Sequence, residues 1–302
     1  MRIFGFTAHG GPEVLGFLDV PQPEPGPGQV LIEVAATSVN PGDLNTREGS
    51  NDFEIVFPMA FGREAAGTVV GTGEVVFGSA ASGHGTFGTH ALLDAASVAP
   101  VPPGLDVRDA ACIPVAYGTA WDALDQLDLP DGATLVVLGA GGGVGTAITP
   151  LAVARGLRVI GVASAGKQEL VESLGARHVV SGEGWVDRVR AVAAAPDALF
   201  DVVGGEVLRE GASLTDRLVS VADKPLVKEL GGTDVTRRRT REVFGAIAET
   251  LARGGAAVTV GAVYPFEQAT EAVAEVEDGH AVGKVVVTVG ETAPPRYSAT
   301  TG

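Results

Sequence analysis

One run of residues limits the fold more than any other: Leu138-Gly139-Ala140-Gly141-Gly142-Gly143-Val144-Gly145, set directly after Thr134-Leu135-Val136-Val137-Leu138. The stretch from Thr134 to Leu138 reads as a strand buried on both faces of a parallel sheet. A helical segment is expected from Val144 to Ala154, and a second apolar strand from Arg158 to Ala163. Small residues are needed where a strand turns tightly into a helix, a ligand approaches the backbone, and the helix packs close to the strand. Ala140, Gly142 and Gly145 fit that dinucleotide fingerprint, with alanine in place of its first glycine. Amides at a helix N-terminus and the helix dipole favour an anion there. Ala140, Gly141, Gly142, Gly143, Val144 and Gly145 are therefore the expected cradle of a pyrophosphate.

The alternation continues. A helix is expected from Lys167 to Leu174, a short strand at His178-Val179-Val180, a helix from Trp185 to Ala194, and a strand over Ala198-Leu199-Phe200-Asp201-Val202-Val203. Strands alternating with helices predict a doubly wound α/β domain. The end of the second strand selects the dinucleotide. An acidic residue there would accept hydrogen bonds from a ribose and repel a 2′-phosphate. The chain has Gly161-Val162-Ala163-Ser164-Ala165-Gly166-Lys167 instead, with no carboxylate. Ser164 offers a donor and Lys167 a positive charge, so the expected cofactor is NADPH.

The first half reads differently. Gln29 to Val39 alternates and is β-branched, and Thr68-Val69-Val70 and Val75-Val76-Phe77 are short apolar runs between glycines. Pro21, Pro23, Pro25 and Pro27 form an extended connector. A barrel or sandwich follows from this punctuation. Toward the end, a helix (Phe266 to Glu277) precedes an apolar strand (Lys284 to Val289), and the polar stretch 291–302 is expected to be a disordered tail.

The 302 residues leave room for two domains. No run reaches the ~18 apolar residues of a membrane span, and Met1 leads into a strand-like pattern without a signal-peptide core, so a cytoplasmic location is expected. The net charge of -16 opposes nucleic-acid binding. The local exception, Arg237-Arg238-Arg239 with Arg241, is expected to be the solvated start of a surface helix. The single cysteine, Cys112, excludes internal disulfides and cysteine-rich zinc clusters, and is expected in the core.

The run from Gly139 through Ser164 and Lys167 to Leu174-Gly175-Ala176 resembles the cofactor half of the medium-chain dehydrogenase/reductase superfamily, and within it the quinone oxidoreductase branch. Gly10-Gly11-Pro12-Glu13-Val14-Leu15, Val39-Asn40-Pro41-Gly42-Asp43, Gly62-Arg63-Glu64-Ala65-Ala66-Gly67, Tyr117-Gly118-Thr119-Ala120-Trp121, Asp201-Val202-Val203-Gly204-Gly205 and Gly279-His280-Ala281-Val282-Gly283-Lys284-Val285 agree with it in order. The resemblance implies a GroES-like β-rich catalytic domain (1–113 and 259–290), a Rossmann nucleotide-binding domain (114–258) inserted into it, an active site in the cleft, and a homodimer.

Zinc-dependent members of the family carry a cysteine where this chain has Asn40 and a histidine where it has Arg63. Zinc needs three or four Cys, His or carboxylate ligands at fixed geometry, and His9, His84, His90, His178 and His280 show no ligand spacing. No metal is expected. The natural acceptors are then compounds whose reduced form spreads charge by conjugation, quinones and α,β-unsaturated carbonyls. By match to the family pattern, Asn40 and Asp43 are pocket residues and Thr119 is a nicotinamide-side contact. Val203 and Gly204 lie under the nicotinamide ribose, and Tyr117 is either a proton donor or an aromatic wall. Arg63 either reaches the vacated metal region or pairs with a neighbouring carboxylate. The stretches Val70–His90 and Val221–Arg241 depart from the pattern, as do Leu44, Asn45 and Thr46 where the family often has tyrosines. The reaction class is thus better specified than the substrate. An enoyl reductase of a biosynthetic pathway and a non-catalytic NADPH-binding redox sensor stand as alternatives.

Overall fold

The computed structural model describes residues 1–50, 54–279 and 281–290; the expected tail 291–302 and His280 lie outside the described residues. The chain begins with β1 (Arg2–Phe6), β2 (Gly16–Asp19), β3 (Gln29–Val39), α1 (Pro41–Glu48), β4 (Met59–Ala60), β5 (Glu64–Val69), β6 (Val75–Ser79), β7 (His90–Asp94), β8 (Ala99–Pro100) and α2 (Val107–Ala110). Strand β3 is the spine of this part. Ile32 and Val34 are buried while Glu33 between them is exposed, as a two-residue side-chain period requires.

The middle of the chain supplies α3 (Gly118–Leu127), β9 (Thr134–Leu138), α4 (Gly143–Ala154), β10 (Arg158–Ala163), α5 (Gln168–Ser173), β11 (Arg177–Val180), α6 (Trp185–Val192), β12 (Ala198–Asp201), α7 (Gly205–Gly211), β13 (Leu218–Ser220), α8 (Lys224–Glu229), β14 (Thr233–Asp234) and α9 (Arg241–Ala252). Its six strands form a parallel sheet in the order β11-β10-β9-β12-β13-β14. The order reverses between β9 and β12, where a doubly wound sheet opens a crevice at its carboxyl edge. Leu135 and Val137 pack into one apolar cluster and Val136 and Leu138 into another, so β9 is buried on both faces.

The chain then returns through β15 (Val260–Pro265), α10 (Ala269–Glu277) and β16 (Lys284–Thr288). Strand β16 pairs antiparallel with β3 and completes a seven-stranded sheet with β15, β5, β6, β8 and β7. One cluster joins Leu135, Val137, Phe200 and Phe244 to Ala36, Phe77 and Val286, so apolar packing runs continuously from one sheet to the other. Cys112 is buried within it.

The structure corrects the sequence expectations at three places. Strand β12 ends at Asp201 rather than Val203, because the Asp201 carboxylate accepts the backbone N–H groups of Val203 and Gly204 (2.9–3.1 Å) and turns the chain. Helix α6 stops at Val192, short of Ala194. The arginine run is not a solvated helix start: α9 begins at Arg241 behind the capping hydroxyl of Thr240. Residues 237–239 form the loop before it, with Arg239 in the left-handed region (φ 46°). Arg238 pairs with Asp122 and Asp125, while Arg237 and Arg239 are half-buried.

Candidate active site

The carboxyl ends of β9, β10 and β12 bring the expected cofactor residues to one edge. Gly139 takes a left-handed conformation (φ 77°) and Gly142 stands at the N-terminus of α4. A Cβ on Gly145 would lie 2.2 Å from the carbonyl oxygen of Gly139 and 2.7 Å from Cα of Ala140, so the helix meets the strand there only through glycine. A Cβ on Gly142 would meet nothing nearer than 3.5 Å, so its Cα is open to an approaching ligand, while its amide donates to the Gly139 carbonyl oxygen (3.1 Å). Gly143, Val144 and Gly145 are in the first turn, where amides have no intrahelical acceptor. Ser164 is exposed at the end of β10, Val203 is 50% exposed after β12, and Gly204 follows with φ 77°. A dinucleotide is compatible with this cradle.

The ammonium of Lys167 is engaged. It donates to the carbonyl oxygens of Ala281 (2.9 Å) and Gly141 (3.3 Å), bracing the glycine loop against the returning segment. The Gly283 amide donates to the same Gly141 oxygen (3.2 Å).

On the other side, Asn40 caps α1 and is buried. Its amide nitrogen donates to Glu64 Oε1 (2.9 Å), and its amide oxygen accepts from Lys284 Nζ at 2.5 Å. Lys284 Nζ also donates to Glu64 Oε1 (3.1 Å) and to the carbonyl oxygen of Val39 (3.3 Å). The second Glu64 oxygen accepts the backbone N–H of Val115 (2.7 Å). Asn40 thus holds an ion pair together. Glu64 and Lys284 stand outside the expected site residues, although their signal was present in the acid following Arg63 and the cation that opens an otherwise apolar strand.

Asp43 is 1% exposed. One carboxylate oxygen accepts the Asn40 backbone N–H (2.9 Å), while Oδ1 is buried without a hydrogen-bond partner among the described residues. Burial pushes its pKa up to about 7, against the pull of Arg63 and with the help of the Glu64 charge. Arg63 is itself depressed to about 10, mainly by burial, and Asp43 is the strongest charge opposing that. Its guanidinium lies 3.1 Å from where Gly42 would carry a Cβ.

Tyr117 has its hydroxyl engaged by the backbone. Its ring is fully buried, its hydroxyl donates to the carbonyl oxygen of Ala257 (2.8 Å), and burial pushes its pKa far above the usual phenol range. Thr119 is buried at the start of α3, and its hydroxyl accepts from Arg237 Nε (3.2 Å). The structure therefore brings Asn40, Asp43, Arg63 and Glu64 together, ties Thr119 to Arg237, and leaves Tyr117 apart.

Among the described residues no group of three His, Cys, Asp or Glu side chains is placed to hold a metal ion. At the expected metal position the Glu64 carboxylate is already bound by the Asn40 amide and the Lys284 ammonium, and the guanidinium of Arg63 stands where zinc-dependent relatives have a histidine, a set that fits a divalent cation poorly.

Comparison with known proteins agrees with this geometry. Residues 26–103 match the alcohol dehydrogenase GroES-like domain, and residues 174–287 match the zinc-binding dehydrogenase family model. The 2-methylene-furan-3-one reductase of Solanum lycopersicum is 30% identical, with 95% of this chain and 79% of the relative covered. The quinone oxidoreductase structure from Coxiella burnetii superposes with a TM-score of 0.87 at 25% identity, covering 96% of this chain and 99% of that one. A mycobacterial structure solved in complex with NADPH gives 0.82 at 29% identity, covering 95% and 100%. With its two-domain frame, its glycine cradle and these relatives in agreement, the chain belongs to the quinone oxidoreductase branch of the medium-chain dehydrogenase/reductase superfamily, a family of oxidoreductases that bind a nicotinamide cofactor.

Proposed function

We propose that the protein is a zinc-independent, NADPH-dependent reductase of quinones or α,β-unsaturated carbonyl compounds. The observation that carries this reading is the Lys284 ammonium, 2.5 Å from Asn40 Oδ1 and 3.1 Å from Glu64 Oε1, beside the position where the resemblance places a metal ligand. A fixed positive charge there disfavours Zn²⁺, and with it the metal-stabilised alkoxide of an alcohol dehydrogenase. Conjugated acceptors need no such Lewis acid.

Bound NADPH supplies a hydride. Ala140–Gly145 would hold its pyrophosphate, Val203 and Gly204 would border the nicotinamide ribose, and Ser164, with no carboxylate beside it, would take the 2′-phosphate. Asp43 is the chain's own proton source in this reading: its acidity lies near neutrality and Oδ1 has no partner among the described residues. One proton from that carboxyl, with the two electrons of a hydride, converts a quinone to its hydroquinone or an enone to a saturated ketone, and solvent restores the proton. Proton delivery to carbon is what the enoyl-reductase alternative also requires, so Asp43 serves either substrate. No helix among the described residues is long and apolar enough to cross a membrane. A cytoplasmic homodimer completes the proposal, the dimer following from the resemblance.

The test is the loss of NADPH absorbance with a panel of quinones and enones, with NADH and a metal chelator in parallel. Chelator-insensitive turnover that prefers NADPH supports the reading. Chelator inhibition removes zinc independence, and tight NADPH binding without turnover favours a sensor.

A further inference from the structure

The carboxylate that ends β12 is joined to the hydroxyl that ends β13. Asp201 and Ser220 are neighbours in the parallel register of the two strands, and neither is exposed. Ser220 Oγ lies 2.6 Å from Asp201 Oδ2. Ser220 Oγ also accepts the backbone N–H groups of Ala222 and Asp223 (3.2 Å each), which fills its acceptor positions and sends its proton to Asp201. Asp201 Oδ1 accepts from Val203 and Gly204 (2.9 and 3.0 Å), and Oδ2 takes a second bond from Gly204 (3.1 Å). These donors are all neutral, so a buried anion is held here by backbone amides and one hydroxyl.

The loops after the two strands meet at Gly204. Its backbone has φ 77° and ψ -166°, a region open in practice to glycine alone. A Cβ there would stand 3.1 Å from Asp223 Cβ and 3.4 Å from Ala222 Cβ. Asp223 Oδ2 accepts the Gly205 amide (3.4 Å), while its Oδ1 caps α8 through the Leu226 amide (3.1 Å). The turn after β12 is thus pinned on one side by Asp201 and on the other by the loop after β13. What it leaves uncovered is Val203, 50% exposed at the carboxyl edge where the strand order reverses.

We infer that Asp201 and Ser220 are positioning residues for the nicotinamide end of the cofactor. The hydroxyl orients the carboxylate, and the carboxylate sets where Val203 and Gly204 stand beneath the nicotinamide ribose. The inference rests on the nicotinamide-cofactor reading above and deepens it, since both residues act through the turn rather than by touching the cofactor. Hydride transfer needs the donor ring close and aligned, and a displacement of about 1 Å can cost about 100-fold in rate. The adenosine half is expected at the end of β10, which β9 and β12 separate from Ser220 on β13. A fault in the hub should therefore reach one end of the cofactor and spare the other.

The test compares calorimetric binding of NADPH with that of 2′,5′-ADP, which lacks the nicotinamide half. Ser220→Ala should weaken NADPH about tenfold and leave 2′,5′-ADP within about twofold, which also shows that the variant is folded. Asp201→Asn should widen the split, because its amide nitrogen would face the Ser220 proton or the Gly204 amide. With a quinone acceptor, kcat of Ser220→Ala should fall by up to about 100-fold. An unchanged ratio of the two affinities overturns the inference, whether both fall, because the hub then supports the whole sheet edge, or neither moves. A parent that prefers NADH corrects the cofactor reading alone, and the same split is then read with NADH against ADP. A parent that binds NADPH and reduces no acceptor overturns the reductase reading, while the binding split still decides the inference.

Discussion

Lys284 Nζ lies 3.1 Å from Glu64 Oε1, and the two side chains are 3% and 0% exposed. The pair links β16, the last strand, to β5 in the first half of the chain. Asn40 and the Val115 amide satisfy the remaining polar atoms. Removing one partner from a buried pair leaves the other charge uncompensated.

Lys284→Met is therefore expected to destabilise the protein by about 3–5 kcal/mol. The double variant Glu64→Gln/Lys284→Met should recover part of that loss, because no buried charge remains. Urea denaturation of the two variants and the parent checks the order. Additive losses would show that the charges act independently.

Asp43 gives a pH signature. Its folded-state pKa is raised from 3.8 to about 7 by burial. The folded state holds the proton over a range in which the unfolded chain has released it. The contribution of Asp43 is fully present below about pH 4 and is lost as pH rises through about 7, with a slope of at most about 1.4 kcal/mol per pH unit. Asp43→Asn should abolish that slope, so the stability difference between variant and parent should itself vary with pH between about 4 and 7. If Asp43 supplies the proton, the pH–rate profile should lose an apparent ionisation near 7 in the same variant, with kcat lower by about 100-fold.

Tyr117→Phe separates a wall from a proton donor. Loss of the hydrogen bond to Ala257, an exposed residue whose carbonyl water can reach, should cost about 0.5–1.5 kcal/mol of stability. The turnover number should stay within about threefold, whereas loss of a general acid would cost about 10²–10⁴. Thermal denaturation and steady-state rates on one preparation decide the matter.

The glycine cradle makes opposite predictions at two positions. Gly145→Ala forces a Cβ within 2.2 Å of the Gly139 carbonyl oxygen and should destabilise the fold by about 1–3 kcal/mol. Gly142→Ala has room, 3.5 Å to its nearest neighbour, and should fold normally. Its methyl group would stand where the cofactor approaches, so NADPH affinity should fall about tenfold or more, ~1.4 kcal/mol. Fluorescence titration of NADPH checks affinity without reference to turnover.

The proposed cofactor site makes different predictions at Ser164 and at Lys167. Ser164→Asp places a carboxylate at the end of β10 and should raise KM for NADPH alone, by about one to two decades, through repulsion of the 2′-phosphate. Lys167→Ala removes the brace to Gly141 and Ala281, so KM should rise for NADPH and NADH alike. A rise for NADPH only would mean that the ammonium leaves the loop to meet the phosphate.

The sequence by itself determined the local elements and the cofactor edge. An apolar pentapeptide followed by glycines has few ways to pack, so Thr134–Leu138, α4 and Arg158–Ala163 were legible to within a residue. Periodicity reports burial, and burial on both faces makes a parallel strand. Only the tertiary structure decided what the polar side chains do. Asn40 was legible as a departure from a metal ligand, yet its service to Lys284 depends on a contact spanning 244 residues of chain. Tyr117 matched a motif, but whether its hydroxyl faced a substrate or a backbone carbonyl depended on Ala257, 140 residues away. The arginine run read as solvated because charge is normally exposed. Its inward turn follows from the left-handed Arg239 and from Asp122 and Asp125 drawing Arg238 alone outward. Local pattern is set by near neighbours along the chain. The state of a buried charge is set by partners that only folding brings within hydrogen-bonding distance.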